Sequence, residues 1–345
     1  MFCVKRTTIV AVLIILSIQL IALSATHATK LKVVTTFSIM SDIAREVAGN
    51  AAIVTSIVKP GAEVHRYKVT PGDMKRMEGA ELIFLNGLGL EIWFKKFLNH
   101  TNNIPKVVIS ERIALIDIKE QHKLEEQNKQ ISKNYCYEIK CSEETDCKMD
   151  KVPLYEKCIE ELKQRNSFVK TANPHVWLSP VAGLVYVNNI RDIFIMHDPK
   201  NADEYMQNAE KYKERLLLLI AEIRSAIAKL PPTKRWLATC EGAFSYFARD
   251  FGLKEIYVWP VNNELQGTPQ NIRAAIDKII KHNVGVVFSE TTNSPKQAQV
   301  IAQNTGARYG GALYADTLSK KEGKAATYID LLRYTTSTII EELGR

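Results

Sequence analysis

Long apolar runs and clusters of like charge are both scarce in this sequence. After the first 28 residues, no stretch approaches the roughly 20 apolar residues that a membrane-spanning helix needs. The 46 basic and 38 acidic residues give a formal net charge of +8, and they are spread along the chain. We therefore expect no later membrane span and no nucleic-acid partner, because nucleic-acid binding requires a concentrated basic surface.

Glycine and proline are also infrequent, with 16 and 12 among 345 residues. This excludes collagen-like and low-complexity chains. Apolar residues make up 46% of the chain and charged residues 24%, which is typical of globular proteins. At roughly 100–200 residues per domain, the length predicts two domains, each large enough to bury its own core.

Residues 1–28 have the pattern of a secretory signal peptide. Lys5 and Arg6 form a short positive region, residues 8–23 are mostly apolar and uncharged, and residues 24–28 are mostly small. The alternative is an N-terminal membrane anchor, but the apolar run is shorter than the roughly 20 residues of a membrane span. The order of these regions favours export with cleavage.

We expect cleavage after Ala25 or Ala28, which leaves no cysteine at the new N-terminus. Cys3 precedes the apolar run and is removed with the signal. A bacterial lipid anchor on the new N-terminus is therefore not expected. The sequence predicts a soluble periplasmic protein.

Four of the remaining cysteines lie close together in a polar segment, residues 119–170. They are Cys136, Cys141, Cys147 and Cys158. An oxidising compartment favours two disulfides among them, for which three pairings can be written. A zinc site of four thiolates is the alternative, but the spacings of four, five and ten intervening residues match no paired C-x2-C motif. We expect a solvent-exposed insertion of loop structure tied by disulfides.

Short strand and helix patterns alternate along the chain, which predicts an α/β fold with mostly parallel sheets. We expect two lobes, residues 29–200 and residues 231–345. Between them, residues 201–230 carry apolar side chains mostly three or four apart and precede two prolines. This pattern predicts one rigid linking helix of about 43 Å.

Four residues are candidates for a shared site in the cleft between the lobes. His65 and His175 lie in turn-like loops, where binding residues are commonly held. Glu241 and Asp316 each follow a predicted strand, and open α/β sheets bind ligands at the carboxyl ends of their strands. Taken singly, each residue is explained by a surface histidine or a helix-capping carboxylate. Taken together, the four would suit Mn²⁺, Fe²⁺ or Zn²⁺ and would cancel the charge of the ion.

Several separate motifs agree on one family. They span residues 60–73, 86–94 (NGLGLEIWF), 173–180, 239–247 (TCEGAFSYF), 266–269 and 309–316. In chain order they resemble the cluster A-I, or family 9, solute-binding proteins of ABC transporters for manganese, iron and zinc. The resemblance covers nearly the whole mature chain apart from residues 119–170. It implies two α/β lobes joined by one long helix, a metal between them, and a monomeric, non-enzymatic protein that delivers the metal to a membrane permease.

The resemblance also implies a ligand set. His65 stands in a G-x-x-P-H-x-Y-x-x-T-P-x-D-like stretch, and His175 stands in N-P-H-x-W. Glu241 occupies the place of the ligand glutamate in the manganese and iron branch, and Asp316 follows the late strand. No catalytic residue and no organic cofactor are implied.

Three residues near the motifs need separate comment. Val64 stands where the family usually has proline, and Lys68 stands where an acidic residue is common. Neither change removes a ligand, although both alter the loop around His65. Cys240 precedes Glu241, and the alternation of side chains along an extended segment predicts that it packs away from the site.

The metal is expected to be Mn²⁺ or Fe²⁺, with Zn²⁺ kept as an alternative. The zinc branch resembles a three-histidine set with a histidine-rich loop, whereas residues 119–170 hold only His122 and the third ligand is Glu241. More oxygen donors shift preference toward Mn²⁺ and Fe²⁺, although Zn²⁺ has the higher intrinsic affinity for most such sites.

Three other functions compete with transport. A metal-dependent hydrolase would use the same ligands with an open position, but the sequence has no H-E-x-x-H and no G-x-S-x-G motif. A surface adhesin would use the insertion, residues 119–170, as its contact. A binding protein for a metal chelate would need a wide aromatic or basic cleft.

Overall fold

Strands and helices alternate through both halves of the chain, which confirms the predicted α/β class. The computed structural model describes residues 30–101, 103–118, 134–141, 147–153, 155–261 and 267–345. Residues Lys32–Arg345 belong to one compact unit. The predicted signal peptide lies outside the described residues. Within the described ranges, no helix combines the length and apolar character needed to cross a bilayer.

The first half is built on a four-stranded sheet with strand order β2-β1-β3-β4. Strand β3 pairs in parallel with both β1 and β4. The alternating strands and helices are β1 (Leu31–Thr35), α1 (Ser38–Ala48), β2 (Ala52–Ser56), α2 (Pro71–Met77), β3 (Leu82–Leu85) and β4 (Lys106–Val108). Between β3 and β4, residues Ile92–His100 form a 3-10 helix.

The second half is built on another four-stranded sheet, with strand order β10-β9-β7-β8 and parallel pairing throughout. Its elements are β7 (Trp236–Glu241), α6 (Ser245–Phe251), β8 (Lys254–Trp259), α7 (Pro269–Lys281), β9 (Val286–Glu290), α8 (Lys296–Thr305), β10 (Arg308–Leu313) and the closing helix α9 (Tyr328–Gly344). Strand β10 contains Gly310 and Gly311, and its register with β9 shifts between Tyr309 and Ala312.

Two consecutive helices connect the halves: α4 (Pro180–His197) and the 27-residue α5 (Ala202–Ala228). At 1.5 Å per residue, α5 is about 40 Å long. One face of α5 is buried, and the helix packs on α1 and α4. The predicted linking helix, residues 201–230, is therefore present, whereas the lobe boundaries drawn at its ends stay predictions.

The insertion, residues 119–170, is more regular than predicted, and this part of the sequence interpretation was wrong. Its described part forms an antiparallel hairpin, β5 (Tyr137–Cys141) and β6 (Cys147–Lys151), followed by α3 (Tyr155–Ser167). The apolar side chains of α3 recur three or four residues apart, which is the signal of a helix: Tyr155, Cys158, Ile159 and Leu162. Among them, only Leu162 is fully buried.

One predicted disulfide joins Cys136 to Cys158, and Cys147 is also disulfide-bonded. A zinc site made of all four thiolates is therefore contradicted. The disulfide is part of a small hydrophobic cluster, whose buried members are Ala114, Cys136 and Leu162. A covalent link in place of a large core is the usual solution for a small, polar segment.

Candidate metal centre

Three hydrogen bonds and the burial of Val64 hold the loop that carries His65. The Glu63 carboxylate accepts hydrogen bonds from the backbone N–H of His65 (2.7 Å) and of Arg66 (3.0 Å). The indole Nε1 of Trp93 donates to the carbonyl oxygen of Val64 at 2.7 Å, and Val64 is fully buried. A hydrogen bond and packing thus fix the position at which the family usually has proline.

The loop that carries His175 is fixed by Asn173. The Asn173 side-chain oxygen lies 2.8 Å from Nδ1 of His175 and 3.0 Å from its backbone nitrogen. A hydrogen bond at Nδ1 leaves Nε2 as the nitrogen that faces the site, which is the usual arrangement for a metal-binding histidine. The Asn173 amide nitrogen donates to the carbonyl of Gly242 (2.7 Å), the residue that follows Glu241. Asn173 therefore joins the two halves.

The carboxylates come from the carboxyl ends of two strands in the second sheet. Glu241 is the last residue of β7 rather than the first residue after it, and Asp316 follows β10. Thr292 donates to Oδ2 of Asp316 at 3.0 Å. Cys240, next to Glu241, lies in the hydrophobic cluster of the second sheet as a buried free thiol.

The structure brings all four predicted side chains to one point. One donor atom from each of His65, His175, Glu241 and Asp316 lies within 4.8 Å of the others. The two Nε2 atoms are 3.1 Å apart. From Nε2 of His175, Oε1 of Glu241 lies at 3.3 Å and Oδ1 of Asp316 at 3.5 Å. From Nε2 of His65 the same oxygens lie at 3.8 and 3.7 Å.

The four side chains are removed from solvent: His65 is 5% exposed and the other three are 0% exposed. Burial disfavours the charged imidazole of His175, but the adjacent charges of Glu241 and Asp316 outweigh burial and raise its pKa to about 10. The pKa of His65 is raised for the same reason. Burial likewise opposes ionisation of Asp316, yet hydrogen bonds from both histidines hold its pKa well below the usual range. Without metal, the site therefore holds protons.

Sequence reasoning missed two residues that support the site. Asn173 was noted only as part of a motif, although it contacts both ligand loops. Glu290, at the end of β9, accepts a hydrogen bond from the backbone N–H of Glu241 at 3.0 Å. Burial and the neighbouring charge of Glu241 raise the pKa of Glu290 to about 8. The carboxyl-end rule that selected Glu241 would have found Glu290 as well.

The buried donor set draws on both halves of the chain, each of which is built on a sheet of parallel strands. This is the arrangement of a bilobed binding protein whose ligand is small and cationic. The comparison with known families agrees: the family described as "ZnuA: Zinc-uptake complex component A periplasmic" matches residues 33–342. The match covers most of the length of this chain, so the chain belongs to that family.

Individual relatives span nearly the whole chain. "Iron-binding protein YfeA" of Yersinia pestis is 40% identical over 318 residues, covering 92% of this chain and 88% of that protein. "Manganese ABC transporter substrate-binding lipoprotein PsaA" of Streptococcus pneumoniae is 29% identical over 326 residues, covering 93% and 92%. The Mn-bound periplasmic metal binding protein of Candidatus Liberibacter asiaticus is similar in structure, with a TM-score of 0.73, 32% identity, and coverage of 91% and 100%.

Replacing Asn173 with alanine should weaken metal binding about 10–100-fold, the usual cost of losing an outer partner of a ligand histidine. Dissociation constants from competition with a metal chelator measure the effect. Asn189→Ala is the matched control, because Asn189 is also buried and donates to two backbone carbonyls, those of Ile109 and Glu111. Equal affinity loss in both variants would show that Asn173 has no specific role.

Proposed function

We propose that this chain binds a divalent transition metal through His65, His175, Glu241 and Asp316 outside the cytoplasm and delivers it to an ABC permease. The observation that carries the proposal is the convergence of four buried donor atoms within 4.8 Å, two from each half of the chain. The named relatives, which are iron-binding, manganese-transporting and substrate-binding proteins, support it.

The spacing of the donors supports coordination of one ion. Two ligand atoms about 2.1 Å from a metal at a tetrahedral angle lie about 3.4 Å apart. The nitrogen–oxygen distances of 3.3–3.8 Å in the site are close to this value. Small movements of the loops would therefore be sufficient to close the shell around a metal.

The charge and chemistry of the donors support Mn²⁺ or Fe²⁺ as cargo. Two carboxylates cancel the charge of a divalent ion when both imidazoles are neutral, which makes burial tolerable. The set contains two nitrogen donors and up to four oxygen donors, and oxygen donors suit the harder ions. Zn²⁺ is expected to bind tightly in vitro as well, because the Irving–Williams order favours it over Mn²⁺. Selection for Mn²⁺ or Fe²⁺ then depends on geometry and supply.

Capture and release are expected to need only small movements. The halves are connected by the rigid α5, and their loops are also joined near the site: the indole of Trp177 donates to the carbonyl of Ala315 (2.8 Å), and the N–H of Gly61 donates to that of Leu318 (2.9 Å). A stiff linker favours limited adjustment over wide hinge closure. We infer that the metal-loaded form docks on the permease as a monomer and that removal of residues 1–28 leaves the protein free in the periplasm, without the lipid anchor of lipoproteins such as PsaA.

A binding role is favoured over catalysis and adhesion. The relatives named above are metal-binding or substrate-binding proteins. A hydrolase would need a coordination position open to water, whereas four side chains converge here in a buried setting. No observation on the described residues supports an adhesin, and the described part of the insertion, residues 119–170, is instead connected to the loop of His175.

Replacing Glu241 with glutamine should weaken Mn²⁺ and Zn²⁺ binding at least 100-fold, more than the loss of an outer partner costs. Metal analysis of protein isolated from its native compartment should find about one Mn²⁺ or Fe²⁺ per wild-type chain and little metal in the variant. Asp192→Asn, at a carboxylate paired with Arg112, is the control and should behave as wild type. Unchanged binding by the Glu241 variant would contradict the proposal, and strong Zn²⁺ binding without any Mn²⁺ or Fe²⁺ binding would overturn the choice of metal.

Metal affinity should rise with pH between 6 and 8. In the metal-free site, the pKa of about 10 keeps His175 protonated at neutral pH, and the pKa of His65 is raised as well. Metal must displace the proton of His175, so binding strengthens as pH approaches the pKa of about 10 for His175 and weakens as pH falls. Calorimetry in buffers of different ionisation enthalpy should detect proton release on binding. Proton uptake, or an affinity independent of pH, would contradict this assignment.

A further inference from the structure

The insertion reaches a buried charged network between the halves through Tyr135, which directly precedes the disulfide cysteine Cys136. Tyr135 is 0% exposed. Its hydroxyl donates to Oδ2 of Asp250 and accepts a hydrogen bond from the guanidinium of Arg249. Arg249 and Asp250 belong to α6, the helix that follows Glu241. A side chain of the insertion therefore forms hydrogen bonds with both members of a buried ion pair in the second half.

Arg249 depends on this contact because it is a buried cation. Its Nε donates to Asp250 (2.9 Å), and one of its terminal nitrogens donates to the carbonyl of Ala114 (2.7 Å), just before the insertion. The guanidinium also lies 5.1 Å from the ring centres of both Tyr135 and Tyr246. Removing the Tyr135 hydroxyl would leave an Arg249 N–H and an Asp250 oxygen each with one hydrogen-bond partner fewer in a buried setting.

The same network continues to the ligand loop of His175. The Tyr246 hydroxyl donates to the carbonyl of Asn173 (2.8 Å), whose side chain contacts Nδ1 of His175. On the other side, Ser179 donates to Asp250 at 2.6 Å and lies four residues after His175. From Arg249, the path to the His175 ring thus runs through a cation–π contact to Tyr246 and then through hydrogen bonds by way of Asn173.

The insertion is also attached to this loop through the backbone. The residues that flank it are paired: Asp117 and Ala172 form an isolated β-bridge, and the N–H of Asn173 donates to the carbonyl of Ile116 at 2.8 Å. The disulfide between Cys136 and Cys158 fixes the residue after Tyr135 to α3. Tyr135 is therefore held in place from the side of the insertion.

We propose that Tyr135 is a positioning residue for the metal site. Through Tyr135, the disulfide-tied insertion sets how firmly the loop of His175 holds the metal. This inference rests on the proposed function, because it assigns the insertion a role in the same site. A coupling of this kind is reciprocal: the network should strengthen metal binding, and metal should stabilise the network.

The test compares Tyr135→Phe with Tyr137→Phe in the full chain. Both variants lose one buried hydroxyl of the insertion, but that of Tyr137 contacts only the hydroxyl of Tyr155 (3.0 Å) among the contacts described. Dissociation constants for Mn²⁺ and Zn²⁺, and the rise in Tm that saturating metal produces, are measured for each. We expect about 10-fold weaker binding and a smaller rise in Tm for Tyr135→Phe, and wild-type values for Tyr137→Phe.

A purely structural role would lower the Tm of the metal-free protein while leaving the dissociation constants and the metal-induced rise unchanged, and that result would overturn the inference. If the wild-type chain binds neither metal, the proposed function fails first, and the inference fails with it. If instead Glu241→Gln abolishes binding and Tyr135→Phe does not change it, only the inference is overturned.

Hydrogen exchange on the wild-type protein provides a second test if Tyr135→Phe does not fold. The N–H of Ala114 donates to the carbonyl of Asn134 (2.7 Å), and the N–H of Val152 donates to that of Cys136 (3.3 Å). Saturation with Zn²⁺ should slow exchange at both amides. Identical exchange with and without metal would contradict a connection between the insertion and the site.

Discussion

Burial of two carboxylates beside two imidazoles is the constraint on which the rest of the structure depends. With side chains only 0–5% exposed, these groups cannot be solvated by water and must be compensated by protons or by a cation. Nearby hydrogen bonds restrict the donors further: Asn173 faces His175, Thr292 faces Asp316, and Trp93 holds the residue before His65. A proton therefore occupies this point in the metal-free protein, and we propose that a divalent ion replaces it.

The donors could be predicted from sequence because each stands in a short motif or at the end of a strand, whereas their supporting residues depend on contacts far along the chain. Asn173 acts partly through the carbonyl of Gly242, 69 residues away, which no local pattern reveals. Glu290 stands at the carboxyl end of β9, the same kind of position that selected Glu241 and Asp316, but it lies in none of the motifs.

The two sheets and the long helix could also be predicted, since their apolar periodicities are strong. The insertion was interpreted as loop because it is rich in charged residues, and the short apolar repeat of α3 was overlooked. Tyr135, the residue of the insertion that reaches the second half, lies in no motif, and its contacts with Arg249 and Asp250 span more than 100 residues. The insertion is thus a polar segment whose contacts with the second half are visible only in three dimensions.

The central claim is that one divalent ion sits among His65, His175, Glu241 and Asp316. Anomalous diffraction from crystals grown with Mn²⁺, recorded on both sides of the manganese absorption edge, tests it most directly. The account predicts a single strong peak within bonding distance, about 2.0–2.3 Å, of both Nε2 atoms and of oxygens from both carboxylates. A peak elsewhere in the molecule, or an ion bonded to fewer than three of these side chains, would contradict the account.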